Sequence, residues 1–260
     1  MSDPLAALSD GDPTALALLV DYDGSIATIV DEPEDAVPLP ASRDALAALV
    51  PLLGLVAVVS GRPVAFLRER LAIDGMRYVG QYGLERLADG AVVSDPRVEP
   101  YLRAVAEAAD EAEARYPDIW VERKGGLAVT LHWRMHPELG EEATRWADET
   151  GRRLGLNVYP TRMARELRPP LPVDKGTAVT ALLTDAPGIE RAVFAGDDHG
   201  DLAAFGALAR LRDEGALRAV TRIAVRSSEA PLDLLDAADV VVDGPDGLAA
   251  LLRALAGWLS

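Results

Sequence analysis

The chain alternates short apolar runs with segments whose apolar residues repeat at helical spacing. The apolar runs predict strands over 15–20, 55–59 and 77–80. Helices are predicted over 42–50 and 63–72, with Ser42 as the N-cap of the first and Pro63 in the first turn of the second. This alternation predicts an α/β fold in which helices cover both faces of a parallel sheet.

From about residue 100 to residue 172 the pattern changes to helix, strand, strand, helix, strand, strand. We predict helices over 101–115 and 138–154, and strands over 119–123, 127–133, 156–159 and 164–168. Gly125 and Gly126 predict a hairpin turn between the first two of these strands. The proline-rich residues 169–172 predict a stiff return segment. We therefore expect an α+β unit, with antiparallel strands in the order αββαββ, inserted over 100–172.

The α/β pattern resumes after this insertion. A helix is predicted to begin near Asp174, with strands over 191–195, 222–225 and 240–242 and a helix over 248–259. We therefore expect 1–99 and 173–260 to form the two parts of one core domain.

Composition and charge exclude several classes of partner. The formal net charge is −16, which argues against binding to nucleic acid or to an anionic membrane. The absence of cysteine excludes disulfides and thiolate metal sites. The first residues carry acids and no basic segment, and the most apolar stretch is broken by Pro51 and Gly54. We expect a soluble cytoplasmic protein that acts as a monomer.

Acidic and hydroxyl side chains follow the predicted strands. The segment DYDGS at 21–25 places Asp21 and Asp23 at the carboxyl edge of the sheet, where open α/β sheets bind ligands. Gly24 provides a turn and lets backbone amides approach an anion. Ser60 follows the second strand, and GDDHGD at 196–201 follows a later one. The acids of that later segment are Asp197, Asp198 and Asp201.

The rarity of lysine marks two further positions. Of the 26 basic residues only Lys124 and Lys175 are lysines. Lys175 lies at a predicted helix start, and Lys124 lies between two predicted strands. A bias toward arginine explains the rarity but not these positions, because an arginine fork cannot replace a compact ammonium. Both lysines are therefore candidate functional cations.

This combination of groups predicts phosphoryl transfer. Carboxylate oxygens suit Mg²⁺, the Ser60 hydroxyl can donate to a phosphoryl oxygen, and Lys175 supplies a fixed charge. An aspartate nucleophile would form an aspartyl-phosphate that water then hydrolyses. Taken singly, each group has a simpler interpretation: a turn carboxylate for Asp23 or Asp198, a helix cap for Ser60, and a surface residue for Lys175.

Four motifs in order resemble those of haloacid-dehalogenase-type phosphatases. They are DYDGS at 21–25, VSGR at 59–62, DKG at 174–176 and GDDHGD at 196–201. The resemblance implies a Rossmann-like core with an inserted cap, with Asp21 as nucleophile and Asp23 as general acid and then base. It implies that Ser60 and Lys175 hold the phosphoryl group. The implied ligands of Mg²⁺ are Asp21, the carbonyl of Asp23 and Asp197, with Asp198 or Asp201 in support.

Within that superfamily the chain resembles the trehalose-6-phosphate phosphatases. The supporting segments are DYDGSIATIV at 21–30, GQYGLE at 80–85, ERK at 122–124, HWR at 132–134 and ELRP at 166–169. The resemblance implies hydrolysis of trehalose 6-phosphate in trehalose biosynthesis, a part of carbohydrate metabolism. The implied substrate-binding residues are Gly24, Gly61, Arg62, Gln81, Glu122, Lys124, Arg134 and Glu166. The last four suit a sugar, because carboxylates accept from hydroxyls and cations donate to them.

The chain departs from the family pattern at two places, and other functions stay open. Tyr82 stands where the family commonly has histidine, and Gly200-Asp201-Leu202 stands where it has Thr-Asp-Glu. The alternatives are a phosphatase for another sugar or glycosyl phosphate, a phosphotransferase or mutase, and a non-catalytic sugar-phosphate-binding relative. The four polar residues of the insertion could instead form cross-strand ion pairs on a solvated face. We also expect the insertion to act as a lid that closes over the core.

Overall fold

The computed structural model describes residues 11–30, 33–161, 163–228 and 230–260. These residues form two compact units. The main unit consists of the described residues up to Val93 together with Val173–Ser260, and the inserted unit is Ser94–Pro172. Among the described helices, none combines the length and the apolar character that a membrane span requires.

The described strands and helices follow one another in the alternation that the sequence predicts. The strands are β1 (Leu16–Val20), β2 (Leu55–Val59), β3 (Arg77–Gly80), β4 (Glu85–Ala88), β5 (Ala91–Ser94), β6 (Trp120–Lys124), β7 (Ala128–His132), β8 (Asn157–Thr161), β9 (Ala164–Arg168), β10 (Arg191–Gly196), β11 (Ala219–Arg226) and β12 (Val240–Asp243). The helices are α1 (Pro40–Leu49), α2 (Val64–Leu71), α3 (Leu102–Arg115), α4 (Gly140–Leu154), α5 (Lys175–Thr184), α6 (Asp201–Asp213), α7 (Leu232–Ala237) and α8 (Gly244–Leu259).

The main unit is built on a mostly parallel sheet with the strand order β12-β11-β10-β1-β2-β3-β4-β5. The strands from β12 to β3 pair in parallel, and β4 pairs with β3 in the antiparallel sense. Apolar clusters cover both faces of the central strands, so β1 and β2 are buried along their whole length. Burial on both faces explains why these strands are continuous apolar runs without polar alternation.

The inserted unit has an antiparallel sheet in the order β6-β7-β9-β8. One face of this sheet packs against α3 and α4 around Val129, Leu131, Leu167 and Trp146. Because side chains alternate along a strand, the opposite face carries the polar residues of the same strands. The predicted β6–β7 hairpin is confirmed by the two glycines at its turn, whose φ angles are 57° and 76°.

Three parts of the main unit were not predicted from the sequence. Helix α6 buries Ala204, Phe205, Ala207, Leu208 and Leu211 on one face, but apolar residues also occupy its half-buried positions, so the contrast between its faces is weak. Helix α7 is only six residues long. Strands β4 and β5 come after β3 along the chain. They are joined to each other by the turn Asp89-Gly90, in which both residues have positive φ. All of β5 and much of β4 are exposed or half-buried, so apolar patterning gives little signal there.

The prediction that Ser42 caps α1 is wrong. The helix begins at Pro40, and Leu39 occupies the N-cap position. Proline is favoured in the first helical turn because its missing N–H has no partner there in any case. Ser42 therefore lies inside the helix, completely buried, and its hydroxyl has no hydrogen-bond partner among the described residues. The prediction that Pro63 lies in the first turn of α2 is also wrong, because the helix begins at Val64 and Pro63 occupies the N-cap position.

Replacing Ser42 with alanine is expected to stabilise the protein. The change removes a buried hydroxyl without a partner and introduces a better helix former, so the free energy of unfolding should rise by about 1 kcal/mol. Urea denaturation of the two proteins measures the difference. As a control, Ala47→Ser at an exposed position of the same helix should lower the free energy by about 0.5 kcal/mol through helix propensity alone. A destabilised Ser42→Ala protein would contradict the expectation.

Candidate active site

The carboxyl ends of β1 and β10 bring three acidic side chains together. Asp21 follows β1, and its backbone N–H donates to the carbonyl oxygen of Ala195 at 2.8 Å. Because β1 and β10 are parallel neighbours, their ends meet at one edge of the sheet. Asp21, Asp197 and Asp201 each place a carboxylate oxygen within 4.8 Å of the others, and all three are buried.

Lys175 supplies positive charge to this cluster. It is the first residue of α5, whose N-terminus is capped reciprocally by Asp174 and Thr177. The Lys175 ammonium nitrogen lies 2.7 Å from Asp201 Oδ1 and 3.0 Å from Asp21 Oδ1. Only 3% of the lysine side chain is exposed, so these contacts are made largely away from water. Helix α5 therefore holds a buried ammonium against two buried carboxylates.

Asp201 orients the loop that carries Asp197. Its Oδ2 accepts hydrogen bonds from the backbone N–H groups of Asp197 at 2.8 Å and Asp198 at 3.0 Å. A side chain at Gly196 would collide with the Asp201 carboxylate, so glycine permits this close approach. The Asp198 side chain is 62% exposed, and its Oδ1 accepts from the Asp201 N–H at 3.2 Å. Asp201 thus lies within the cluster, whereas Asp198 lies at its exposed edge.

The electrostatics of the cluster show an excess of negative charge. Burial, reinforced by the neighbouring carboxylates, raises the pKa of Asp21 well above its usual range. The same two causes raise the pKa of Asp197 to about 8 and that of Asp201 to about 6. Burial would lower the pKa of Lys175, but the charges of Asp198, Asp201 and Asp21 outweigh it and raise that pKa. A further cation would relieve the remaining repulsion.

The turn after β1 is shaped around this cluster. Gly24 has a φ of 72°, and a β-carbon there would collide with the Asp197 carboxylate. Glycine is required because the position combines left-handed backbone with this close approach. The Ser25 hydroxyl donates to Asp197 Oδ1 at 3.3 Å. Tyr22 is completely buried in the apolar core, where its hydroxyl donates to the carbonyl oxygen of Ala36 at 2.9 Å.

Asp23 has a different partner from Asp21. Its carboxylate is held by both arms of the Arg62 guanidinium, with Nε donating to Oδ2 at 2.7 Å and Nη2 to Oδ1 at 2.6 Å. The Asp23 side chain is 36% exposed and that of Arg62 is 12% exposed. The carboxylate of Asp23 therefore belongs to an ion pair beside the acidic cluster, which leaves only its backbone carbonyl for the metal role inferred from the sequence.

The end of β2 and the segment after β3 form the adjoining wall. Ser60 is buried, its Oγ accepts from the Arg62 N–H at 3.2 Å, and its carbonyl oxygen accepts from the Tyr82 N–H at 3.0 Å. Gln81 is buried at a φ of 51°. The ring of Tyr82 covers Gly61, where an added β-carbon would lie 2.6 Å from Tyr82 Cζ. These contacts join the end of β2 to the segment after β3. They therefore bring together Ser60, Gly61, Arg62 and Gln81.

Sequence reasoning missed the role of Glu85 in this wall. Its Oε2 accepts from the backbone N–H of Val64 at 2.8 Å, which satisfies the first turn of α2. Burial raises the pKa of Glu85 against the opposing effect of this hydrogen bond. The glutamate lies inside the GQYGLE segment at 80–85, but nothing local indicates a helix cap 21 residues away.

In the inserted unit, the register aligns Glu122, Thr130 and Glu166 across β6, β7 and β9. The Lys124 ammonium lies 2.6 Å from Glu166 Oε2, and Glu122 Oε2 lies 3.0 Å from His132 Nε2. Glu166 is only 1% exposed, so these ion pairs do not lie on a fully solvated face. Three of the four predicted residues therefore share one polar face.

The surroundings of that polar face include Arg134, the fourth predicted residue, and further side chains that sequence reasoning did not assign. Arg134 lies two residues beyond the end of β7 and is half-buried. His132 stacks on Trp120 with ring centroids 4.4 Å apart. The Arg168 guanidinium lies 3.7 Å from the centre of the Tyr159 ring. Alternation along predicted strands could have placed these residues on the polar face, but not their stacking partners.

Solved structures with the same architecture show which fold this is. The C-terminal domain of the Candida albicans trehalose-6-phosphate phosphatase superposes with a TM-score of 0.76 at 22% identity, covering 95% of this chain and 94% of that one. A haloacid dehalogenase-like hydrolase from Bacteroides thetaiotaomicron superposes with a TM-score of 0.63 at 17% identity, covering 92% and 98%. The fold is that of the haloacid-dehalogenase-like hydrolases with a cap, which confirms the predicted fold class.

Sequence relatives identify the family within that class. The family described as Trehalose-phosphatase matches residues 19–237. The trehalose-phosphate phosphatase of Mycobacterium marinum is 31% identical over 223 residues, which cover 80% of this chain and 56% of that protein. This chain belongs to the trehalose-phosphatase family, as its motifs predicted. It spans about half the length of the curated trehalose-phosphate phosphatases that it matches, with 51% coverage for the Mycobacterium avium protein.

Removing the buried ammonium is expected to destabilise the protein strongly. Lys175→Met leaves Asp21 and Asp201 without their shared cation, so the free energy of unfolding should fall by about 3–5 kcal/mol. The matched control is Asp198→Asn, which changes an exposed partner of the same lysine and should cost less than about 1 kcal/mol. Urea denaturation of both variants in metal-free buffer makes the comparison. Equal losses of unfolding free energy in the two variants would show that the buried contacts of Lys175 with Asp21 and Asp201 do not dominate its contribution to stability.

Proposed function

We propose that this protein is a magnesium-dependent phosphatase that hydrolyses trehalose 6-phosphate to trehalose and phosphate. The observation that carries the proposal is the placement of Lys175 against Asp21 beside a buried cluster of carboxylates. This arrangement offers a nucleophilic oxygen, a fixed cation and oxygen donors for a metal at one edge of the sheet, which are the components of phosphoryl transfer. The relatives named trehalose-phosphate phosphatases support the choice of substrate.

The proposed chemistry proceeds through an aspartyl-phosphate. A carboxylate oxygen of Asp21 bonds to phosphorus, the bond from phosphorus to the sugar oxygen breaks, and that oxygen takes its electron pair together with a proton from Asp23. Asp23 then accepts a proton from the water that attacks phosphorus, which releases phosphate and restores Asp21. Lys175 neutralises charge on the phosphoryl oxygens, and the Ser60 hydroxyl donates to one of them.

The residues at this edge fit a magnesium ion. The donors are carboxylate oxygens, which Mg²⁺ prefers, and those of Asp21, Asp197 and Asp201 lie buried within 4.8 Å of one another. Asp21, Asp197 and the backbone carbonyl of Asp23 would hold the ion, with Asp201 orienting Asp197 from behind. Bound Mg²⁺ supplies charge neutralisation on the transferring phosphoryl group.

The substrate contacts divide between phosphate and sugar. The resemblance implies Gly24, Gly61, Arg62 and Gln81 around the phosphate. Glu122, Lys124, Arg134 and Glu166 are the proposed sugar-binding residues. The pairing of Lys124 with Glu166 supports this assignment, because a mixed set of donors and acceptors on one face suits a ligand rich in hydroxyls.

Tyr82 gives a specific reason to test a second substrate class. Its ring covers Gly61, at a position where the family commonly has histidine. A phenol ring differs from imidazole in size and in the hydrogen bonds it makes. The second candidate function is therefore the same phosphatase chemistry on another sugar or glycosyl phosphate.

Phosphate release from a panel of substrates tests the proposal. The panel contains trehalose 6-phosphate, glucose 6-phosphate and other sugar phosphates, each with Mg²⁺ and with the metal chelated. Preference for trehalose 6-phosphate with dependence on Mg²⁺ supports the proposal. Preference for another sugar phosphate supports the second candidate. Release from none of them would contradict the proposal and favour a non-catalytic relative.

The variant Asp21→Asn is expected to lose turnover by at least about 10³-fold, because an amide oxygen is a poor nucleophile. Asparagine keeps the size of the side chain, so the fold should persist. Asp44→Asn, at a carboxylate that is 70% exposed in α1, controls for the loss of one negative charge and should have normal activity. Near-normal turnover by purified Asp21→Asn would contradict the assignment.

Lys124→Ala is expected to impair hydrolysis of trehalose 6-phosphate at least about tenfold more than hydrolysis of 4-nitrophenyl phosphate, because contacts with remote parts of a substrate supply orientation. Lys175→Ala should impair both substrates, since both contain the phosphoryl group. Arg123→Ala, which removes a cation paired with Asp110 and Glu113, is the control in the same strand. If Lys124→Ala slows both substrates equally, Lys124 has a structural role.

A further inference from the structure

Asp21 and Asp23 lie two residues apart and are held by different kinds of cation. Asp21 contacts the compact ammonium of Lys175, whereas both oxygens of Asp23 are bound by the fork of Arg62. A two-point contact fixes the plane of a carboxylate, which a single ammonium does not. From this geometry we infer that Arg62 is a positioning residue, which acts on the reaction by orienting Asp23.

The side chain of Arg62 is itself held in place by α2. Its guanidinium carbon lies 4.8 Å from the centre of the Phe66 ring, a cation–π contact. Phe66 in turn packs edge-on against Tyr22, with ring centroids 5.6 Å apart. Tyr22 is the residue between the two aspartates and is completely buried. Through Phe66 and Tyr22, the Arg62 guanidinium is thus packed against the same turn that carries Asp23.

The backbone of Arg62 is also fixed on both sides. Its N–H donates to Ser60 Oγ at 3.2 Å, and its carbonyl oxygen accepts from the Gln81 N–H at 3.0 Å. A β-carbon at Gly80 would lie 2.5 Å from that carbonyl oxygen, so the end of β3 packs closely against it. A guanidinium held by its backbone and its ring contact is suited to orient a neighbour, because little further ordering is needed.

The orientation of Asp23 matters for one part of the proposed reaction. When the bond from phosphorus to the leaving oxygen breaks, the electron pair goes to that oxygen while Asp21 bonds to phosphorus. Asp23, in its protonated form, gives the leaving oxygen a proton held on a lone pair that the Arg62 fork does not occupy. A basic alkoxide needs this proton, whereas 4-nitrophenolate is stable enough to leave without it. The Asp23 side chain remains 36% exposed, so the fork leaves part of it accessible to a substrate.

This inference rests on the proposed phosphatase function and differs from a role of Arg62 as a phosphate ligand. A phosphate ligand contacts the group that all phosphate esters share, so its loss affects every substrate alike. A positioning residue of the general acid affects only substrates with basic leaving groups. The two roles therefore predict different dependence on the leaving group.

The test compares phenyl phosphate with 4-nitrophenyl phosphate, two substrates of similar shape whose leaving groups differ in basicity. The enzymes are wild type, Arg62→Ala, Arg62→Lys, Asp23→Asn and the double variant, all with Mg²⁺. Arg62→Ala should lower kcat for phenyl phosphate by about 10–100-fold with little change in KM, and lower kcat for 4-nitrophenyl phosphate by less than about threefold. In the Asp23→Asn protein the arginine substitution should add no further loss on either substrate.

The outcomes separate this inference from the proposed function. Equal losses on both substrates, a rise in KM on both, or full additivity in the double variant would overturn the role of Arg62 while the phosphatase function stands. A wild-type protein that hydrolyses neither aryl phosphate nor trehalose 6-phosphate would overturn both. Arg62→Lys keeps the charge but not the fork. It should therefore lose less kcat than Arg62→Ala, with the same dependence on the leaving group. It also provides the comparison if Arg62→Ala does not fold.

Discussion

The contact between the Lys175 ammonium and the carboxylates of Asp21 and Asp201 is the interaction on which the rest of the site depends. Two adjacent parallel strands, β1 and β10, are each followed directly by an acidic residue, so the topology itself brings negative charges together. Buried carboxylates at such distances are unstable unless a cation lies among them. Helix α5 supplies that cation from its first turn. The segment that follows the inserted unit in sequence therefore contributes Lys175 to the site at the end of β1.

Asp201 shows how the fold uses one side chain for structure and electrostatics together. One carboxylate oxygen accepts the backbone N–H groups of Asp197 and Asp198, and the other contacts Lys175. The loop after β10 therefore keeps its shape only while Asp201 keeps its position at the start of α6. Burial, reinforced by the neighbouring carboxylates, raises the pKa of Asp197 to about 8. Perturbed pKa values of this kind cluster at functional sites.

The sequence predicted the main elements and the residues at the sheet edge because those follow from local pattern. Strand β2 and the start of α5 lie where apolar runs and cap residues indicate. What it could not predict depends on contacts between distant segments. The pairing of Arg62 with Asp23 joins positions 39 residues apart, and Glu85 caps α2 from a strand beyond β3. Serine is a favoured N-cap residue, which made Ser42 the predicted cap, but the helix begins two residues earlier, at Pro40.

The two cations beside the turn after β1 also show why a lysine and not an arginine occupies position 175 in an arginine-rich chain. Arg62 meets a carboxylate that is partly exposed, and its planar fork determines how that group is oriented. Lys175 instead contacts Asp21, Asp201 and, at 3.6 Å, Asp198 from one nitrogen atom, which lies between separate side chains. A guanidinium is too wide and too planar to take that position without displacing one of the carboxylates. The choice of cation thus follows from geometry: a fork suits one carboxylate that needs an orientation, and a point charge suits several that must share a centre.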